Sequence, residues 1–161
     1  MLDAVIVSLH VATGGLAGAL ARSPGRAFAL GLLAHAAGDA LPHQDVASRR
    51  FETLSGVSVL ALLAAAYGPL SPVVAGAVGG SIPDVEHVLP LPRPGGRKLF
   101  PSHRVRGWHR SGGVPASVQL LAAGAIAGAL AARKCPIRRY MPAHAPRSRG
   151  ARAHPRPHQG F

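Results

Sequence analysis

Cysteine and aromatic residues are scarce in this sequence. Cys135 is the single cysteine, which excludes a disulfide framework and a cysteine-based zinc site. Aromatic residues make up only 4% of the chain, and Ala, Leu and Val dominate its 48% hydrophobic fraction. A soluble core normally holds more Phe, Ile and Met, whereas small residues let helices approach closely within a bilayer. The composition therefore favours a membrane-associated helical protein.

Acidic residues are also few, at six against eighteen Lys and Arg, but the excess charge is local. Residues 133–161 hold eight of the basic residues and no acid, so the other 132 residues carry ten basic and six acidic groups, or +4. Because the segment is also Pro-rich, we predict a helical domain at 1–132 and a disordered tail at 133–161. The only aromatic residues of the tail are Tyr140 and Phe161, which argues against stacking on nucleic-acid bases. Anionic lipid is therefore the expected partner of the tail rather than nucleic acid.

Four apolar stretches divide the domain. They cover residues 4–21, 27–41, 53–83 and 114–132. The first lacks a positive flank, so we expect a retained helix rather than a signal peptide. Pro42 ends the second stretch, and Pro69 and Pro72 split the third into two predicted helices, at about 54–67 and 72–82. Each of those two is expected to be too short to cross a membrane upright.

The remaining segment, residues 83–113, is rich in Pro, Gly and Arg and predicts a loop. No strand alternation of useful length is present. We therefore predict an all-α fold, a small multi-helix bundle embedded in a membrane. Excess positive charge on the tail predicts that the tail lies on the cytoplasmic side.

Histidines and carboxylates recur at helical spacing within this apolar chain. His35 and Asp39 are four residues apart and Asp84 and His87 three apart, so each pair can share a helix face. His43 follows four residues after Asp39, where Pro42 bends the chain. The other predicted ligands are His10 in the first stretch and the two histidines of HRVRGWH, His103 and His109. Imidazole and carboxylate together suit a divalent metal, with zinc favoured and manganese or iron compatible. This number of ligands allows one or two ions.

Each element alone also has a purely structural interpretation. His35 and Asp39 can form a hydrogen-bonded helix pair, and His10 can be a satisfied interior histidine. Asp84 after Pro83 suits a helix N-terminus, and HRVRGWH can be a basic loop anchored at lipid headgroups by Trp108. Because ionisable groups in apolar segments are costly and usually mark function, their recurrence in four segments favours a shared metal site.

A metal centre of this kind predicts a membrane-bound hydrolase of a phosphoester, such as a lipid headgroup. Glu86 or Asp45 would act as general base or orient a ligand. The predicted phosphate-binding residues are the arginines of the histidine motif, Arg104, Arg106 and Arg110. Two alternatives remain: a non-catalytic metal-binding membrane protein for transport, storage or structure, and an interaction protein that uses its basic tail.

The order of motifs also resembles a known family. A histidine in the first helix, then PDVEH, then HRVRGWHRS is similar to the YdjM-type family of LexA-regulated inner-membrane proteins, described as metal-dependent hydrolases. The resemblance covers about residues 8–130 and implies a multi-pass protein of a bacterial inner membrane. It implies metal ligands at Asp84, His87, His103 and His109. The chain departs from the family pattern at Glu86, where the family has Asp, and at Trp108, where it has Thr.

Overall fold

The structure is a computed structural model that describes residues 6–44, 46–89, 91–108, 110 and 112–134. Helices dominate these residues, and the extended contact among them is an isolated bridge between His43 and Val114. The longer helices are α1 (Val7–Ala19), α2 (Pro24–Ala40), α3 (Arg49–Tyr67), α4 (Pro72–Ser81) and α7 (Ala116–Lys134). The short ones are α5 (Val85–Val88) and α6 (Pro101–Arg104), and 3-10 turns cover Ile82–Asp84 and Pro94–Gly96.

Serine caps fix where three of the helices begin. The hydroxyls of Ser48 and Ser71 each accept a hydrogen bond of 3.3 Å from the backbone N–H three residues later, at the start of α3 and α4. Ser23 does the same for α2 at 3.5 Å. Proline follows Ser23 and Ser71 at the first helical position, where its missing N–H costs no hydrogen bond.

Glycines bring the backbones of α1, α2 and α4 into direct contact. A Cβ atom placed on Gly76 of α4 would lie 2.7 Å from the Cα of Gly18 and would also meet the carbonyl oxygen of Gly14, both on α1. A Cβ on Gly31 of α2 would meet the carbonyl oxygen of Gly76 and lie 2.8 Å from the nitrogen of Gly80. The three helices can pack this closely only because these positions carry no side chain.

Helices α1, α3 and α7 run in the same direction, so their N-terminal ends lie together. The Val7 N–H at the start of α1 donates to Glu52 in the first turn of α3, over 2.9 Å. At the other end, the Tyr67 hydroxyl donates to the Leu130 carbonyl of α7 over 2.8 Å. Gln119 in the first turn of α7 donates to the Gln44 carbonyl over 2.8 Å, which ties α7 to the segment after α2. We call the end formed by the N-termini of α1, α3 and α7 the N-terminal end of the bundle.

The all-α prediction is confirmed for the described residues, and one predicted helix length is wrong. The third apolar stretch does divide into two helices, but α3 begins at Arg49 rather than near residue 54 because Ser48 caps it. With 19 residues, α3 is long and apolar enough to cross a membrane, as is α7. Only 17% of the apolar window of α3 and 22% of that of α7 are buried, unlike the core helix of a soluble protein.

The segment predicted as a loop, residues 83–113, contains α5, α6, the 3-10 turn Pro94–Gly96 and the last two residues of the turn Ile82–Asp84. Pro83, Pro94 and Pro101 each stand in the first turn of one of these short elements, so the prolines that suggested extended chain begin helical turns. Helix α7 continues to Lys134, past the predicted domain boundary at 132. The predictions for the tail fall on residues 135–161, outside the described residues.

Candidate metal centre

Side chains from separate helices converge at the N-terminal end of the bundle. Helix α1 contributes His10, α2 contributes His35 and Asp39 one turn apart, and α6 contributes His103. Asp84 ends the 3-10 turn that follows α4. All of these side chains are at most 7% exposed. The bundle therefore buries a cluster of imidazoles and carboxylates, as the spacing of the sequence predicts.

Three ligand atoms form a compact triangle at the centre of the cluster. The Nε2 atoms of His35 and His103 are 3.4 Å apart, and they lie 3.0 Å and 3.4 Å from Asp39 Oδ2. Zinc bonds to nitrogen and oxygen of about 2.0–2.1 Å place neighbouring ligands of a tetrahedral shell about 3.3–3.4 Å apart. The triangle therefore has the dimensions of a ligand set of two histidines and one carboxylate, which suits Zn²⁺ or Fe²⁺.

The ring orientation of both histidines is set by hydrogen bonds at their other nitrogen. His35 Nδ1 donates to the Gly80 carbonyl over 2.8 Å, and His103 Nδ1 donates to Glu86 Oε1 over 2.6 Å. With the proton on Nδ1, a neutral ring presents a lone pair at Nε2. Two lone pairs and a carboxylate oxygen facing one another repel unless a cation lies among them, and metal-binding histidines are commonly held in this way.

A proton can replace the metal in this cluster, and the charges favour a cation either way. Although burial opposes it, the hydrogen bond to Asp39 and the charges of Asp84 and Asp39 raise the pKa of His35. Burial also opposes the ionisation of Asp39, but hydrogen bonds from His103 and His35 hold the pKa of Asp39 well below its usual range. Asp39 is therefore a carboxylate at neutral pH, ready to bind a metal or a protonated imidazole.

Asp84 lies beside the triangle. Its Oδ1 is 3.8 Å from the Nε2 atoms of both His35 and His103, and neither of its buried oxygens accepts a hydrogen bond from the residues that the structure describes. Burial raises the pKa of Asp84 to about 7. A buried carboxylate without a donor costs free energy, and a bound cation removes that cost.

Two further donor groups each share a histidine with this triangle. Among the described residues, three groups of side chains could each hold an ion, because their ligand atoms lie within 4.8 Å of one another. The groups are His10 with His35 and Asp84, His35 with Asp39 and His103, and Asp84 with His87 and His103. His10 Nε2 also lies 3.4 Å from Asp39 Oδ1, and burial, with the charge of His35, lowers the pKa of His10 to about 3. His10 is thus neutral and able to coordinate. The overlap of the groups is compatible with one ion or two.

The other predicted site residues have different positions. His43 is buried, donates from Nδ1 to the Leu41 carbonyl over 2.7 Å, and belongs to none of the three donor groups. Asp45 and His109 lie outside the described residues and stay predictions. Arg110 is exposed, and its carbonyl accepts a hydrogen bond from the His43 N–H over 3.2 Å.

A basic cleft of about 710 Å³ opens at His103. Three of its lining residues are cationic: Arg97, Lys98 and Arg104. Of the predicted phosphate-binding arginines, Arg104 is among the lining residues, whereas Arg106 is exposed and is not one of them. Arg97 and Lys98 were missed because they precede the histidine motif, in the Pro- and Gly-rich segment whose folding the sequence did not reveal.

Glu86 holds His103 rather than facing the centre. Its Oε1 accepts from His103 Nδ1, and its Oε2 accepts from the Leu99 N–H over 2.7 Å. Although burial opposes it, the hydrogen bond from Leu99 and the one from His103 lower the pKa of Glu86. With both oxygens engaged, Glu86 is suited to the positioning role that the sequence allowed, more than to that of a base.

Replacing Glu86 with Gln is expected to weaken metal binding about 10- to 100-fold while all ligands remain. The amide can still accept from one N–H, but it no longer carries the charge that fixes the tautomer of His103. Isothermal titration of the metal-free protein with Zn²⁺ measures the change. An unchanged affinity would mean that Glu86 does not orient His103.

The raised pKa of Asp84 predicts a pH dependence of metal affinity. Below about pH 7 a proton occupies Asp84 and must leave before the carboxylate binds a cation, so affinity rises with pH up to about 7. In Asp84→Asn this proton is absent, so the plot of log affinity against pH is expected to be shallower by up to about one unit per pH unit. Zn²⁺ titrations between pH 5.5 and 8 compare the two proteins, and equal slopes would contradict a role for Asp84.

Comparisons with protein-family models, curated proteins and solved structures gave no match to this chain. Function must therefore be argued from the geometry of the cluster and its surroundings.

Proposed function

We propose that the protein is a membrane-bound, metal-dependent hydrolase that cleaves a phosphoester of a lipid headgroup. The observation that carries the proposal is the triangle of His35 Nε2, His103 Nε2 and Asp39 Oδ2, with edges of 3.0–3.4 Å. Two imidazoles and one carboxylate form the protein part of many hydrolytic zinc sites. Zinc is the favoured ion, and manganese or iron fits the same donors.

The reaction proposed is addition of water to phosphorus. The water oxygen forms a bond to phosphorus, the P–O bond to the leaving alcohol breaks, and that alcohol oxygen takes up a proton. A divalent cation held by these donors supplies Lewis-acid chemistry, lowering the pKa of water and stabilising charge on the phosphoryl oxygens. Glu86 and the Gly80 carbonyl hold the two imidazoles so that their Nε2 atoms face Asp39, the position in which they would bind the cation.

The cleft at His103 supports a phosphate as the group that reacts. Arg97, Lys98 and Arg104 give it positive charge next to the donor cluster. Guanidinium groups match phosphate oxygens with paired hydrogen bonds, whereas a neutral or cationic substrate would be repelled or left unpaired. The cations of the cleft would hold the non-reacting phosphate oxygens while the ester bond faces His103.

The two membrane-length helices support a lipid as the substrate. If α3 and α7 are the spans, their N-termini mark one membrane surface. The cluster lies within a few turns of that surface, since the Val7 N–H contacts Glu52 and His10 is only one turn farther along α1. Lipid phosphates lie in the headgroup region that borders this surface. The resemblance to the YdjM-type family, with its multi-pass inner-membrane location, adds to this part of the proposal.

The test is hydrolysis by the full chain purified in detergent. Phosphatidic acid and phosphatidylglycerol, a monoester and a diester, are presented in mixed micelles and their products followed by phosphorus NMR. Treatment with EDTA is expected to lower turnover at least 100-fold, and Zn²⁺, Mn²⁺ or Fe²⁺ should restore it. Arg104→Met is expected to raise KM about tenfold, whereas Arg106→Met, outside the cleft, serves as the matched control. Metal-independent turnover would overturn the proposal.

The burial of the donors favours one alternative, a metal site without catalysis. Asp39 is fully buried, and His35 and Asp84 are at most 2% exposed, as in a closed structural or storage site. This alternative predicts bound metal, measured by elemental analysis, with no hydrolysis of either lipid. The edge of the cluster at His103, which lines the open cleft, favours the hydrolase.

A further inference from the structure

A second cavity borders the donor cluster, and its character differs from that of the basic cleft. This groove has a volume of about 300 Å³, at the lower end of the range for ligand pockets, and Asp84 is one of its lining residues. The basic cleft has His103 among its lining residues. Since Asp84 Oδ1 and His103 Nε2 are 3.8 Å apart, the two cavities meet the same cluster of donors.

The walls of the groove are apolar. They come from α1, α3 and the segment around α5, and the aliphatic lining residues are Val7, Val11, Val57, Leu60, Val85 and Leu89. Among the described residues of its lining, Thr53 and Ser81 have uncharged polar side chains and Asp84 is the ionisable residue. A phosphate would lose its hydration in such a groove without gaining a partner, whereas a hydrocarbon chain would gain buried contact.

The direction of the groove also fits a hydrocarbon chain. Its residues on α3 run from Thr53 to Leu60, which spans about 10 Å along the helix axis. Helix α3 is one of the two membrane-length helices. A chain lying in the groove would therefore run parallel to a membrane-spanning helix, as acyl chains of a bilayer do, with its polar end at the metal-binding cluster.

We infer that the substrate is an amphiphile whose phosphate binds in the basic cleft at His103 and whose acyl chain lies in the groove beside Asp84. This inference rests on the proposed function and adds to it the position of the chain. Positive charge borders one side of the cluster and an apolar wall borders another, so an anionic headgroup on a single long chain can bind in the cleft and the groove together. A water-soluble phosphoester can bind only in the cleft.

The experiment measures how hydrolysis depends on chain length. A series of n-alkyl 4-nitrophenyl phosphates with butyl, octyl and dodecyl chains reports turnover by release of 4-nitrophenolate. For the zinc-loaded wild type, kcat/KM is expected to rise at least about tenfold from butyl to octyl, since each buried methylene is worth about fourfold in affinity. Val57→Phe fills the groove and is expected to remove this rise.

The matched control is Val118→Phe, the same substitution at an exposed valine of α7. Val57 and Val118 are 58% and 50% exposed, so neither change buries a large side chain in the core. The control should keep the chain-length dependence of the wild type. If kcat/KM depended on chain length in Val57→Phe as it does in the wild type, or did not depend on it in the wild type, the inference that the chain lies in the groove would be wrong. The hydrolase proposal would remain.

A binding measurement separates failure of this inference from failure of the proposed function. A dodecyl phosphate with a diazirine at the chain end is photolysed on the zinc-loaded protein, and labelled peptides are identified by mass spectrometry. If the α3 peptide around Thr53–Leu60 is labelled in the wild type and this labelling is lost in Val57→Phe, binding of the chain in the groove is supported even if no ester is hydrolysed. Absence of labelling there, with or without turnover, overturns the inference.

Discussion

Replacing Asp39 with alanine is expected to abolish tight metal binding and to lower the proposed metal-dependent hydrolysis about 1000-fold or more. Asp39 Oδ2 lies within 3.4 Å of both histidine Nε2 atoms, so the variant loses the carboxylate that balances the charge of the ion. Transition-state stabilisation by a catalytic metal amounts to several kcal/mol, and about 4 kcal/mol corresponds to a factor of 1000. Elemental analysis and turnover of phosphatidic acid measure the two effects.

A suitable control is Glu52→Gln. Glu52 is also a buried carboxylate, but it belongs to none of the three donor groups, and glutamine can still accept from the Val7 N–H. This variant is expected to retain stoichiometric metal, and circular dichroism checks that both variants stay helical. Full metal content in Asp39→Ala would show that the triangle is not the binding site.

Replacing Gly76 with alanine is expected to destabilise the protein by about 3 kcal/mol, the upper part of the range for overpacked interiors. The added methyl group would lie 2.7 Å from the Cα of Gly18, and the neighbours on α1 are backbone atoms that no rotamer change can move away. Helices α1 and α4 must then separate, which also displaces His10 and Gly80 from the donor cluster. Unfolding in increasing sodium dodecyl sulfate, followed by circular dichroism, measures the loss.

Gly124→Ala is the matched control for this change. Gly124 also lies within a helix, but a Cβ there would meet nothing within 4 Å. Alanine should therefore stabilise α7 by up to about 1 kcal/mol through its better helix propensity. Equal effects of the two substitutions would mean that the close approach of α1 and α4 does not depend on glycine.

The sequence predicted the donors of this site better than their surroundings. Spacing placed His35 and Asp39 on one helix face, and a helix keeps i and i+4 neighbours together whatever the tertiary fold. It could not predict that Glu86 turns toward His103, because this contact joins residues 17 apart through a segment without periodicity. Arg97 and Lys98 were missed for the same reason.

Helix bounds show the same division between local and long-range information. The predicted start of α3 was wrong because the apolar stretch was begun after the last charged residue, Glu52, whereas the helix includes the charged residues and begins after its capping serine, Ser48. The close contact of Gly76 with α1 could not be predicted at all. It depends on which helices meet, and the sequence indicates only that glycine is abundant.

The single tryptophan of the chain lies where it can report on the cluster. The Trp108 indole N–H donates to the Ala36 carbonyl over 2.8 Å, on the turn of α2 that separates His35 from Asp39. Its emission therefore arises from one known position, without overlap from other indoles. The unlabelled protein thus carries a native fluorophore for following, in real time, how the segment from α6 to Trp108 packs on α2.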